Sequence, residues 1–219
     1  MWLENNMRFT CVTAAWRIEG LKSVIDQIKR QDYDQSLIQH IIVNDNNEEI
    51  RKFLEKNDYF KNEDNIQVVD LRVRTHYYGA FARSIGAMIA FSYIRERDRN
   101  KDEFVCFCDD DNIIYSNYLS TFAKMHEENP EATLLGVDMN IRNKRTDNLK
   151  TRDISIQHNR CDLGSFCYRR DVFDKYGYFV ANPRNKQRFD YNLLKKIADG
   201  EGDKVYIKHG EPTWLFNKK

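Results

Sequence analysis

Residues 104–112 read Phe-Val-Cys-Phe-Cys-Asp-Asp-Asp-Asn, an apolar run that ends in three consecutive carboxylates. Such a run is typical of a strand that is buried on both faces. Enclosed neighbouring carboxylates repel one another, and Mg²⁺ or Mn²⁺, which prefer oxygen ligands, would offset that repulsion. In open α/β sheets, ligands bind just beyond the carboxyl ends of the strands. The segment therefore predicts either a metal site or a solvated turn in which Asp111 or Asn112 caps a helix.

The composition is that of a globular protein. The 219 residues are 41% hydrophobic and 32% charged, which fits one sizeable α/β domain. Thirty-five Lys and Arg nearly balance 34 Asp and Glu, so the net charge gives no reason to expect a nucleic-acid partner. Five cysteines without a Cys-x-x-Cys pair favour a reducing compartment. Because no apolar run is long enough to span a membrane, we expect a cytoplasmic protein with at most weak peripheral contact with the inner face of the membrane.

Strands and helices alternate along the first 130 residues, which predicts a parallel sheet with right-handed crossovers. After residue 133 the pattern is looser, and the polar stretch 140–159 is expected to be a loop. We predict a single domain over residues 1–219, with a nucleotide-binding half at about 1–130 and an irregular acceptor-side half at about 131–219. The predicted strands are 9–13, 39–43, 66–71, 104–108, 134–139, 163–168 and, last, 204–208. The predicted helices are 20–30, 48–56, 80–95, one capped by Ser116 and ending before Pro130, and 190–198.

Several well-known sites are excluded by their missing motifs. The chain has no P-loop, no Gly-x-Gly-x-x-Gly, no Gly-x-Ser-x-Gly and no His-Glu-x-x-His. Polar residues do follow three predicted strands, at 13–17, 44–47 and 109–112. Since the carboxyl ends of parallel strands share one edge of the sheet, this edge suits a nucleotide diphosphate held by a metal ion.

The order of these motifs resembles that of a family 2 glycosyltransferase with the GT-A fold and an Asp-x-Asp metal motif. Residues 13–17, Thr-Ala-Ala-Trp-Arg, resemble the family's Pro-Thr-Tyr-Asn-Arg loop, with Thr13 in place of Pro and Trp16 in place of Asn. Residues 42–47 resemble Val-Val-Asp-Asp-Gly-Ser, with Asn44 in place of the first Asp. Residues 82–86 resemble Ala-Arg-Asn-x-Gly, and residues 107–112 resemble Phe-Leu-Asp-x-Asp-Asp.

The resemblance continues to about residue 209. Residues 164–170 and 176–179 resemble the acceptor-side strand and its Gly-x-Phe turn. Residues 189–193, Phe-Asp-Tyr-Asn-Leu, resemble Glu-Asp-Tyr-Asp-Leu, which carries the family's catalytic carboxylate. The resemblance implies a Rossmann-like, mostly parallel central sheet flanked by helices, with a smaller irregular acceptor-side half.

The resemblance also assigns roles to residues. Asp109 and Asp111 would hold Mn²⁺ or Mg²⁺, with His209 as a further ligand, and Asp190 would be the general base. Trp214 is a candidate to stack on an acceptor sugar. The residues that would contact the donor nucleotide are Thr13, Ala14, Ala15, Arg17, Asp45, Arg83, Asp109 and Asp110.

Each role has a structural alternative. Asp45 and Asp190 are both placed where they could cap a helix. His209 could be an ordinary surface residue, Arg83 could form a salt bridge on its helix, and Trp214 could cover the end of the core.

The resemblance implies a metal-dependent, inverting glycosyltransferase. The donor would be a nucleoside diphosphate sugar, and the acceptor a glycan or a lipid- or protein-linked glycoconjugate of surface polysaccharide synthesis. The alternatives are a sugar nucleotidyltransferase, which would need a Gly-rich opening loop that residues 13–20 lack, and a catalytically silent sugar-nucleotide-binding module.

Overall fold

The structure is a computed structural model that describes residues 7–61, 65–75, 79–92, 102–142, 148–180 and 189–216, without the side chains of residues 91 and 92. The strands are β1 (Arg8–Ala15), β2 (Ile38–Asn44), β3 (Ile66–Asp70), β4 (Glu103–Phe107), β5 (Ile113–Ile114), β6 (Leu134–Val137), β7 (Met139–Arg142), β8 (Leu149–Arg152), β9 (Phe166–Arg169), β10 (Val205–Lys208) and β11 (Trp214–Phe216). The helices are α1 (Ile18–Lys29), α2 (Glu48–Lys56), α3 (Ala80–Ser92), α4 (Tyr118–Glu128), α5 (Asp171–Tyr176) and α6 (Phe189–Glu201).

The central sheet has seven strands in the order β10-β6-β9-β4-β1-β2-β3. All neighbours in it are parallel except β9, which runs antiparallel to both β4 and β6. This arrangement confirms the prediction of a mostly parallel α/β sheet. The carboxyl ends of β1, β2, β3 and β4 therefore lie on one edge, which is the edge that carries the Asp triplet.

Helices pack on the sheet through the faces that their periodicity predicts. Leu21, Val24, Ile25 and Ile28 form the buried face of α1. On α3, Gly86 lets the helix approach the centre of the sheet, since a Cβ atom there would lie 2.3 Å from Cγ1 of Val12. Helices α1 and α3 therefore both pack closely against the central sheet.

A second sheet corrects the prediction of a loop at 140–159. It has four strands in the order β5-β11-β7-β8 and includes β7 and β8 from that polar stretch. Every residue of β8 is exposed, so the strand lacks the apolar alternation by which strands are recognised. The chain passes from the central sheet to the second sheet at Asp138, whose fully buried carboxylate accepts a hydrogen bond from the Ile154 amide at 2.9 Å.

Other boundaries also differ from the predictions. Helix α4 begins at Tyr118 after Asn117, so Ser116 is not its cap. Strand β10 is not the last strand, because β11 follows it. Residues 163–165 form a short 3₁₀ helix (Leu163–Ser165) rather than the start of β9. No helix in the described part of the chain is long and apolar enough to cross a membrane.

Candidate active site

The first carboxylate of the triplet, Asp109, is paired with Arg83. Oδ1 of Asp109 accepts from Nε of Arg83 at 2.9 Å and from Nη2 at 2.5 Å. Both side chains are largely buried, with 11% of Arg83 and 18% of Asp109 exposed. Gly79, which has a φ of +77°, begins the turn into α3 and leaves the room that the guanidinium needs, since its Cβ would lie 3.2 Å from Nη1 of Arg83. Arg83 therefore forms its salt bridge with the predicted donor residue after β4, not with a residue of its own helix as the structural alternative has it.

The second carboxylate, Asp110, holds the loop between β1 and α1. Its Oδ2 accepts from the amides of Trp16 at 2.8 Å and Arg17 at 2.5 Å, and its Oδ1 from Nη2 of Arg17 at 2.6 Å. The backbone also packs closely, because a Cβ on Gly20 would lie 1.8 Å from the Asp110 carbonyl oxygen. Both oxygens of Asp110 thus accept hydrogen bonds that position residues 16 and 17, and its contact with the donor stays a prediction.

The third carboxylate, Asp111, is the most accessible of the three. Its side chain is 31% exposed and contacts Nη2 of Arg17 at 3.1 Å. Burial and the charge of Asp109 raise its pKa, against the lowering effect of Arg17. A divalent cation between Asp109 and Asp111 would relieve this repulsion, and both residues supply the oxygen ligands that Mn²⁺ and Mg²⁺ prefer. The residues present therefore fit the predicted cation.

The end of β2 contributes Asp45, which is 6% exposed and accepts from the Thr75 amide at 2.7 Å. Asp45 does not cap α2, because Oδ1 of Asn47 accepts from the amides of Glu49 and Ile50 instead. The capping alternative for Asp45 is therefore wrong.

The last residues of β1 and the loop after it are only partly directed to the edge of the sheet. Ala14 is half-buried, Ala15 is fully buried, and the Thr13 hydroxyl lies 2.9 Å from Nε2 of the buried His40. Burial lowers the pKa of His40 to about 3, so the ring is neutral. The side chains of Thr13 and Ala15 therefore do not face a donor, whereas Trp16 is 42% exposed with the Arg74 guanidinium 3.7 Å from the centre of its ring.

Asp190 lies in the first turn of α6, which begins one residue earlier at Phe189. Its Oδ1 accepts from the amide of Tyr191 at 2.9 Å, so the carboxylate also satisfies an amide of the first turn. Burial raises its pKa, and the nearby charges of Arg83 and Asp109 act in opposite directions. A partly buried carboxylate with a raised pKa is a stronger base than one in water. The chain therefore brings Asp190 into the electrostatic environment of Arg83 and Asp109, which lie about 80 to 110 residues earlier in the sequence.

Asp162 joins the same group, and sequence reasoning missed it. Its Oδ1 accepts from the Gly164 amide at 3.1 Å and starts the short 3₁₀ helix before β9. Burial, Asp109 and Asp190 raise its pKa to about 7, against the Gly164 amide and Arg83. The only local signal is an Asp two residues before a Gly, which is also typical of an ordinary turn.

A cavity of about 290 Å³ opens beside these carboxylates and is named here the Asp190 cavity. It lies between the second sheet, the loop before β9 and the start of α6. Its lining combines two carboxylates with aromatic, cationic and amide groups. The lining residues are Met139, Arg152, His158, Asn159, Cys161, Asp162, Asp190, Tyr191 and Phe216.

His209 lies in a different cluster from the Asp triplet. Its Nδ1 is 2.9 Å from Oδ1 of Asp138, and with Asp153 these residues form the only group of three or more potential metal ligands found in the described residues. Asp138 is already satisfied by the amides of Ile154 and Gly210. His209 is therefore not grouped with Asp109 and Asp111 here.

Trp214 is corrected from an acceptor residue to a core residue. Its side chain is fully buried in β11, and its Nε1 donates to Oγ of Ser165 at 3.1 Å. A ring without an exposed face cannot stack on a sugar, so the alternative that it covers the end of the core describes it correctly.

Solved structures share this fold. Staphylococcus aureus TarS residues 1–349 in complex with UDP-GlcNAc has a TM-score of 0.69 at 16% identity, over 97% of this chain and 59% of that one. A mannosyltransferase, PcManGT from Pyrobaculum calidifontis in complex with GDP-Man and Mn²⁺, has a TM-score of 0.64 at 13% identity, over 96% of this chain and 56% of that one. At these identities the likeness shows the fold, and it confirms the predicted fold class.

The chain spans about 60% of the length of TarS 1–349. No protein-family model matches the chain, and no curated protein matches it either.

Proposed function

We propose that this chain is a metal-dependent, inverting glycosyltransferase of the family 2 type, which moves a sugar from a nucleoside diphosphate sugar to a glycan or a lipid- or protein-linked acceptor in surface polysaccharide or glycoconjugate synthesis. The observation that carries the proposal is the group formed by Asp109, Arg83 and Asp190. This group lies at the edge of the central sheet, between the carboxyl end of β4 and the start of α6. Solved structures with a similar fold contain UDP, UDP-GlcNAc or GDP-Man.

The donor half of the site is the edge formed by β1, β2 and β4. Asp45 and the exposed Trp16 lie after adjacent strands, where a base and ribose would fit. Arg17, fixed by Asp110, and Arg83 supply positive charge for a diphosphate. Because Arg83 is paired with Asp109, donor binding would exchange part of this pairing for phosphate oxygens.

Asp109 and Asp111 would hold the cation, for which Mn²⁺ in PcManGT is the precedent. When bound, the cation supplies positive charge that stabilises the leaving nucleoside diphosphate. His209 stays a proposed ligand, because its pairing with Asp138 through Nδ1 leaves Nε2 available to a cation.

Asp190 would act on the acceptor. Its carboxylate takes the proton of the acceptor hydroxyl while that oxygen forms the new bond to the anomeric carbon and the bond to the diphosphate breaks. The raised pKa of Asp190 favours this proton transfer. The five free cysteines fit a cytoplasmic location for this reaction.

Donor binding is tested by thermal denaturation with UDP, GDP, UDP-GlcNAc and GDP-mannose, each with and without MnCl₂. A bound donor at about 100 times its Kd stabilises the fold by about 2.7 kcal/mol. We expect at least one donor to raise the Tm more with Mn²⁺ than without it, and Asp111→Asn to lose that difference. If no nucleotide raises the Tm even with Mn²⁺, the proposed function is wrong.

Catalysis is tested by mass spectrometry of the products made with the stabilising donor. Asp190→Asn should lower transfer by about 10²- to 10⁴-fold, the usual contribution of a general base. The matched control is Asp199→Asn, which removes an exposed carboxylate paired with Lys195 on the same helix. Unchanged transfer in Asp190→Asn would reject the base assignment. Donor binding without transfer would favour the silent module. When pyrophosphate is added, conversion of the donor and pyrophosphate into a sugar 1-phosphate and a nucleoside triphosphate would favour the nucleotidyltransferase.

A further inference from the structure

Asp162 is fixed in the wall of the Asp190 cavity. One carboxylate oxygen accepts from the Gly164 amide at 3.1 Å, so the group has a defined orientation. Both Asp162 and Asp190 line the cavity, and they reach it from different parts of the chain, the loop before β9 and the first turn of α6. The cavity thus presents two carboxyl groups to whatever occupies it.

Capping alone does not explain an aspartate at this position. Asp34 caps another short 3₁₀ helix (Gln35–Leu37) in the same way, by accepting from the Ser36 amide at 2.9 Å, but it does so at an exposed site. Asp162 carries out this task next to Asp109 and Asp190, where burial and like charges raise its pKa to about 7. Asn or Ser would cap the turn without that electrostatic cost. A charge-bearing group kept at a cost is typical of a binding or catalytic site.

An unsatisfied hydroxyl lies behind the two carboxyl groups. Tyr168 on β9 is fully buried, and its hydroxyl has no hydrogen-bond partner among the described residues. Burial and the charges of Asp190 and Asp162 raise the pKa of this hydroxyl, and both of these carboxyl groups line the cavity. An unpaired buried hydroxyl costs about 1 to 3 kcal/mol. The hydroxyl is fully buried and is not part of the cavity lining, so it adds to the polar surroundings of Asp162 and Asp190 rather than contacting an occupant.

We propose that Asp162 is an acceptor-binding residue, whose carboxyl group hydrogen-bonds a hydroxyl group of a sugar acceptor in the Asp190 cavity and holds the sugar next to Asp190. This inference rests on the proposed function, since it names the acceptor side of the same site. A cavity of about 290 Å³ is at the small end of ligand pockets, which fits one sugar unit rather than a long chain. Its aromatic wall, with Tyr191 and Phe216, offers the apolar faces that sugar rings pack against.

The probes are the 4-nitrophenyl glycosides of glucose, galactose, mannose and N-acetylglucosamine, titrated by saturation-transfer NMR into the protein with UDP and MnCl₂. We expect at least one of them to bind the wild type. Asp162→Asn keeps an oxygen for the Gly164 amide but loses the carboxylate, and it should raise the Kd of that glycoside about tenfold, the value of one good hydrogen bond. The thermal shift caused by the donor should be unchanged, which separates this role from the donor site.

The matched control is Asp34→Asn, which changes the same capping group at an exposed turn and should leave glycoside binding unchanged. Asp162→Ser, which also caps such turns, replaces the Asn variant if the latter folds poorly. The inference is wrong if none of the glycosides binds the wild type, or if the Asp162 and Asp34 variants bind the glycoside as the wild type does. It is also wrong if both variants weaken binding equally. Each of these outcomes leaves the proposed function standing whenever the donor still raises the Tm.

Discussion

Replacing Asp162 by Asn should make the protein more stable in alkaline solution and leave its stability in acid almost unchanged. The folded-state pKa of Asp162 is raised from 3.8 to about 7, because burial and the charges of Asp109 and Asp190 disfavour the ionised form. In the unfolded chain the carboxyl group ionises near its ordinary pKa. Between these two pKa values the folded state binds the proton and the unfolded state does not, so wild-type stability falls as the pH rises through this window.

The size of the effect follows from the same two values. A difference of about 3 pKa units corresponds to about 4 kcal/mol at 1.36 kcal/mol per unit. Asp162 keeps partial contact with solvent, which screens part of this cost, so we expect Asp162→Asn to gain about 1 to 3 kcal/mol above pH 7. Below about pH 3 the carboxyl group is protonated in both the folded and the unfolded state, and the gain should vanish. The Gly164 hydrogen bond is retained by the amide oxygen and does not contribute to the difference.

Urea denaturation of the wild type, Asp162→Asn and Asp34→Asn at about pH 4.5 and about pH 8.5 measures this effect. The difference between Asp162→Asn and the wild type should grow with pH, and the difference for Asp34→Asn should not grow in parallel. If Asp162→Asn were destabilising at about pH 8.5, or if its effect were the same at both pH values, the carboxyl group would be solvated and the electrostatic reasoning would be wrong.

Two further predictions concern buried side chains. Trp214→Ala should lower the free energy of unfolding, measured by urea denaturation, by about 3 to 5 kcal/mol, because removing the fully buried indole leaves a cavity and the Ser165 hydroxyl loses its donor. Unchanged stability with reduced transfer would instead support the acceptor role. His40, with its pKa lowered to about 3, stays neutral in the folded state while the unfolded chain gains a proton below its ordinary value of 6.5, so stability should fall as the pH drops from about 6.5 towards 3. His40→Gln should flatten that acid limb, and an unchanged limb would mean that other groups cause it.

The central sheet was predictable because its strands carry their own signal. The apolar runs around Val12, Ile42 and Val105 each end in a polar cluster, and segments with helical spacing of apolar residues lie between them. The alternation of strands and helices, and the parallel direction of the strands, therefore follow from local sequence pattern. The second sheet gives no such signal. Strand β8 is exposed along its whole length and is held by pairing with β7, which only the folded chain brings beside it.

The residues of the candidate site were likewise predictable only in part. Asp109, Asp111 and Asp190 could be proposed from the sequence because each lies in a motif whose neighbours are informative. Asp162 was missed because its surroundings in the sequence are those of an ordinary turn, and its meaning comes from Asp109 and Asp190, which are brought near it by the pairing of β4 with β9 and by the start of α6. Trp214 was misassigned because the sequence around it is equally compatible with a Trp that stacks on a sugar and with a Trp that packs in the core.

The two effects predicted for Asp162→Asn have opposite signs, and this is what makes them informative together. A residue that only caps a turn should lose stability, or keep it, when its charge is removed, with no consequence for ligands. A binding group held at an electrostatic cost should do the reverse, since its removal relieves the cost and removes the contact. Greater stability above pH 7 combined with weaker glycoside binding would therefore assign Asp162 to the acceptor, whereas greater stability with unchanged binding would show that the buried charge serves no acceptor and would reject that assignment.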